Sequence, residues 1–133
     1  MKPLFLIFML LPVQLLFAQT EDIPENIQSH FEGTWAIYEK YYTNTILIKF
    51  DHGRAFMTDI GSGKAPPLTF PATLKGNRLI IPDQQNRNDY LEMEVIHHKL
   101  HVRIQHVQWD ENGNIRKNTV ENVEKKIFQR IRK

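Results

Sequence analysis

From Thr34 onward, apolar and polar residues alternate in short runs separated by turn-forming residues, the pattern of antiparallel strands with one face buried. The runs predict strands at Thr34–Tyr42, Thr45–Phe50, Arg54–Ile60, Leu68–Lys75, Arg78–Pro82, Asp89–His97, Leu100–Trp109 and, with a bulge, Ile115–Ile131. Only Ile23–Phe31 suits a helix, and a short one: Pro24 fits a first helical position and Glu25 the positive helix start. Ile27 and Phe31, four residues apart, share a face of that turn and are placed to plug one end of the strand assembly.

Turn chemistry sets the expected pairing. Gly76-Asn77 as a two-residue turn places Leu74 opposite Leu79 and Ala72 opposite Ile81. His98-Lys99 as a turn places Val95 opposite Val102, Met93 opposite Ile104 and Glu94 opposite Arg103. A three-residue turn Asp51-His52-Gly53 places Ile48 opposite Phe56 and Ile46 opposite Thr58. Each hairpin then has one apolar face, and a one-residue slip would turn that face outward. Short links between sequential strands favour a single eight-stranded antiparallel up-and-down barrel with a short N-terminal helical turn, because closure removes exposed edges. Gly61–Pro67 and 83–88 read as polar surface loops.

The N-terminus adds a location. Lys2 precedes an uncharged apolar run, Leu4–Phe17, and the small Ala18 follows it, the anatomy of a secretory signal. A membrane span needs about 20 apolar residues; this run is shorter and contains Pro12. The reading is a signal peptide over 1–18, a mature domain over 19–133 starting at Gln19, secreted or periplasmic, with no stable membrane span after cleavage. The chain has 0 cysteines, which excludes disulfides, thiol catalysis and a lipid-modified N-terminal cysteine. Its formal charge is +2, with basic and acidic residues interleaved, so no basic stripe marks a nucleic-acid partner.

Phe31-Glu32-Gly33-Thr34-Trp35 joins the helical turn to the first strand. A Gly-x-Trp in that position resembles the lipocalin-like (calycin) barrels, in particular their compact bacterial and fatty-acid-binding forms. The resemblance implies that Gly33 and Trp35 sit at the closed end and that an Arg near the last strand, here Arg130 or else Arg132, stacks over the indole. It also implies a cavity for a small apolar or amphipathic ligand, with Ile37, Tyr41, Ile46, Ile48, Phe56, Phe70 and Met93 as candidate wall residues.

Catalytic signals are weak by comparison. Ser29 and Ser62 lack a nucleophile elbow, and Gly61-Ser62-Gly63-Lys64 lacks the spacing of a phosphate loop. Glu92 and Glu94 share a face, but one expected to be the solvated outer face. His97, His98, His101 and His106 do not converge under the expected register, so neither a metal site nor a cofactor is assigned. The expected function is non-enzymatic binding of a small hydrophobic ligand. The alternative is a filled barrel acting as an interaction or structural module of the cell envelope, its outer face carrying Tyr38, Leu47, Met57 and Ile80.

Overall fold

A computed structural model describes residues 22–84, 88–106, 111–114 and 123–133. The expected signal segment and cleavage site lie outside these residues, as does the predicted strand segment 115–122. One helix, α1 (Glu25–Phe31), precedes eight strands: β1 (Gly33–Tyr38), β2 (Thr43–Asp51), β3 (Arg54–Gly61), β4 (Leu68–Lys75), β5 (Arg78–Ile81), β6 (Tyr90–Ile96), β7 (Lys99–Gln105) and β8 (Val123–Arg132). Every strand pairs antiparallel with its sequence neighbours, and β1 pairs with β8, so the sheet closes into a barrel without a free edge.

The tight turns after β2, β4 and β6 gather at one end together with α1, which closes it. Phe31 is buried, Ile27 packs against the core, and the Ile23 amide donates to the Gly53 carbonyl at 2.9 Å, fixing the chain ahead of α1 across the β2–β3 turn. Pro24 stands at the N-cap, one position before the expected one. Gly33 begins β1 at φ +139°, where a Cβ would collide with the Arg132 carbonyl; only glycine lets β8 approach this closely at the barrel seam. The strand ends where β1 meets β2, β3 meets β4, β5 meets β6 and β7 meets β8 lie opposite this closed end, at the end termed the open end, or mouth.

The Gly76-Asn77 hairpin has the expected register, with Leu74 opposite Leu79. Two other registers need correction. The β2–β3 turn holds two residues, His52 and Gly53, both at positive φ, and Asp51 pairs with Arg54. Ile48 therefore faces Met57, and Ile46 faces Asp59. This one-residue difference reverses the faces of β3. Met57, expected outside, is buried in the core; Phe56, expected inside, sits on the outer row opposite Lys49 and Pro71. The sequence left the choice open because Phe56 and Met57 are adjacent and both apolar; the two-residue turn, whose twist matches that of the strands, decides it.

The β6–β7 turn is His97-His98, both at positive φ, and not His98-Lys99. Val95 faces Leu100, Met93 faces Val102 and Glu94 faces His101. A shift of two residues leaves the faces unchanged, which is why alternation alone did not detect it.

Inside the barrel, Trp35, Ile48, Leu79, Met93 and Leu100 are 0% exposed. No water-sized void, internal or external, touches them. With Ile46, Ile81, Val102, Phe70 and Phe128 they fill the barrel from the closed end to beyond its middle.

Candidate functional site

The closed end is a structural seal. Trp35 is the register partner of Arg130, and the guanidinium carbon lies 4.5 Å from the indole ring centre. The indole N–H donates to the Phe31 carbonyl at 2.8 Å. Arg130 Nη2 donates to the carbonyls of Ser29 and His30, which the last turn of α1 leaves without helical partners. Burial lowers the Arg130 pKa from its usual value. The guanidinium nevertheless stays charged and is held by the two carbonyls and the π face. Its Nε is buried without a hydrogen-bond partner, consistent with the stack supplying part of the compensation.

The open end has different chemistry. The inward row descending from the rim reads, across β6, β7 and β8, Leu91–Ile104–Glu124, then Met93–Val102–Lys126, then Val95–Leu100–Phe128. Two inward positions of β8 near the mouth are thus charged, while their partners on β6 and β7 are apolar. Just beyond these strands, Asp89 and His106 continue the alternation. The four polar groups form a chain: His106 Nδ1 lies 2.8 Å from Asp89 Oδ2, and His106 Nε2 lies 3.1 Å from Glu124 Oε2. Lys126 Nζ lies 3.5 Å from Glu124 Oε1. Lys126 is 20% exposed in its side chain: its stem lies along the inner wall and its ammonium reaches the rim.

Both carboxylates act on the imidazole. The hydrogen bond to Asp89, then that to Glu124, raises the His106 pKa above the ordinary imidazole value. The same contact, with help from Lys126, lowers that of Glu124. In the protonated ring both nitrogens donate, one to each carboxylate.

Ile37, Asn44, Asp59 and Leu68 continue the inward face of the mouth on the opposite side, with Leu68 55% exposed. Outside it, the β1–β2 tip presents Tyr38, Tyr41 and Tyr42 at 67%, 85% and 49% exposure. The Glu39 amide closes this tip on the Tyr42 carbonyl at 2.8 Å.

Of the residues the sequence singled out for a ligand wall, Ile46, Ile48, Phe70 and Met93 come together in the buried core, and Ile37 packs against it nearer the mouth. Tyr41 lies on the exposed tip and Phe56 on the outer surface. His97 and His98 form the β6–β7 turn at the closed end, away from His106 at the mouth. Glu92 and Glu94 line a shallow outer groove of ≈ 340 Å³, where Arg78 reaches them at 3.2 and 3.6 Å. These are partly exposed ion pairs on the outer face, with Glu92 the more covered carboxylate.

The polar chain at the mouth was missed in the sequence. The signal lay in following the inward alternation of the two predicted strands out to Asp89 and His106, and in counting back from Arg130 to Lys126 and Glu124. Comparison of the chain with protein-family models, curated proteins and solved structures finds no match to any of the three.

Proposed function

We propose that this chain is an exported, non-enzymatic, lipocalin-like barrel that binds a small amphipathic molecule at its open end. The apolar part of the ligand lies against Ile37, Leu68, Leu91 and Ile104, where the wall is only partly covered. Its polar part meets the Lys126–Glu124–His106–Asp89 chain. The carrying observation is the change inside the barrel from fully packed apolar layers to a partly exposed rim with inward-facing charges. An inward charge costs desolvation, and a site that orients an amphipathic guest gives a reason to keep it there. The driving force is removal of the guest's apolar surface from water, at about 25 cal/mol per Å². The lipocalin-like part of the reading rests on the Gly33-x-Trp35 motif, its position after α1 and the Arg130 stack.

Native mass spectrometry of protein purified from its own host tests the proposal. The expected spectrum shows the mature chain with a retained small molecule, lost when Ile104→Ser and Lys126→Met are combined. Protein without any adduct counts against it.

A second reading, a filled barrel acting through its surface, is supported by the complete packing beneath the mouth and by the exposed Tyr38, Tyr41 and Tyr42. A copurifying protein displaced by serine at these three tyrosines, with no small-molecule adduct, would favour it.

A further inference from the structure

The geometry at the mouth points to a proton-controlled clasp: we propose that charged His106 ties the lead into β6 to the start of β8, and that losing its proton loosens the open end. The argument begins with donors and acceptors. Ionised Asp89 and Glu124 offer acceptors only, one to each ring nitrogen of His106, at 2.8 and 3.1 Å. Protonated imidazole has two N–H donors and satisfies both. Neutral imidazole has one donor and one lone pair, so one carboxylate must then face a lone pair. The shorter Asp89 contact is the one to persist, and Glu124 is released towards Lys126, already 3.5 Å from its other oxygen.

The position of the cluster gives that change a consequence. Asp89 stands directly before β6, His106 directly after β7, and Glu124 near the start of β8. The two contacts therefore join three successive strands at the mouth, where their pairing ends. The charged groups facing the imidazole are Asp89 from the β6 side and Glu124 from β8, with Lys126 behind Glu124. Both carboxylates favour the protonated ring, so the tight state is the acidic one. The clasp is also distinct from the closed end, which is held by Arg130, a group that keeps its proton across this range. This device holds whether or not the mouth takes a ligand.

Two measurements on the mature chain test it together: ¹⁵N titration of the imidazoles by NMR, and amide exchange at residues 90–92 and 103–105 across the same pH range. His106 is expected to keep its proton above the ordinary imidazole value. Exchange at the mouth, after correction for the intrinsic rise with pH, is expected to step up about two- to fivefold as His106 deprotonates, the range set by partly exposed charge pairs. Amides of Leu79 and Leu100 show no such step. His106→Gln removes the step, and Asp89→Asn or Glu124→Gln each lowers the His106 midpoint. A His106 that titrates at or below the ordinary imidazole value, mouth exchange without a step, or a step that survives in His106→Gln overturns the proposal.

Discussion

Trp35 and Arg130 are 95 positions apart in the sequence and adjacent in the barrel, so their contact exists only if β1 and β8 close the sheet. Trp35→Ala should cost about 3–5 kcal/mol, since it empties a fully buried indole site. A double-mutant cycle with Arg130→Met, read by chemical denaturation, should leave a coupling of about 0.5–2 kcal/mol; coupling near zero would mean that the guanidinium acts only through the α1 carbonyls. The lipocalin-like resemblance implies this pair, with Arg130 or else Arg132 as the partner, and the structure places Arg130 over the indole. His106 was not legible in the sequence, because its role depends on a register that no local pattern states. Its contribution to stability has a definite sign. The His106 pKa is raised, chiefly by Asp89, so its contribution is full below the ordinary imidazole value and is lost as pH rises through the raised one. The Glu124 pKa is lowered, chiefly by His106, so its contribution is present above the ordinary carboxylate range and is lost as pH falls through the lowered value. The stability gap between the native chain and His106→Gln should therefore be widest between those limits. The two side chains are 46% and 45% exposed, so solvent and salt screen the effect to at most about 0.2–1 kcal/mol. A gap that widens towards alkaline pH would contradict the assignment.

The elements were read from alternation, and alternation has a blind spot. It specifies which residues share a face of a strand, yet it carries turn length only indirectly. At Gly76-Asn77 the flanking Leu74 and Leu79 leave one sensible register. At β2–β3 the adjacent Phe56 and Met57 allow two, and the wrong one inverts a whole strand. The correction is testable through burial. Met57→Ala should cost about 2–5 kcal/mol as a core truncation, and Phe56→Ala clearly less despite removing more atoms; the reverse order would restore the three-residue turn. Turn strain gives a second test. Gly53 and Gly76 both have positive φ, but a Cβ on Gly53 would run into Asp22, whereas one on Gly76 meets open space. Gly76→Ala should cost about 1–2 kcal/mol from backbone conformation alone. Gly53→Ala should cost more, because it also disturbs the Ile23 amide bond that holds the chain entering α1. Equal thermal shifts in the two variants would show that this N-terminal tie carries no energy.

At the scale of the molecule, closure gives the barrel two unlike ends. Among the described residues, one is sealed by α1, Trp35 and Arg130; the other carries exposed tyrosines at the β1–β2 tip and inward charges set among aliphatic side chains. Fold class was legible because short links between alternating strands leave few topologies, and a closed one protects every edge. Interior volume was not, since large inward side chains either fill a barrel of this size or leave room for one guest. The packing of Ile48 and Met93 at 0% exposure confines the proposed binding to the mouth. Export carries its own expectation: N-terminal sequencing of protein recovered outside the cytoplasm should begin at Gln19, and a retained Met1 would reject signal cleavage. The most direct test of the account compares methyl NMR spectra of protein as isolated from its host with the same protein stripped of bound molecules by a hydrophobic resin. Shifts should concentrate at Ile37, Leu68, Leu91 and Ile104 while Ile48, Leu79, Met93 and Leu100 stay fixed. Identical spectra, or changes led by those four core residues, would contradict binding at the open end.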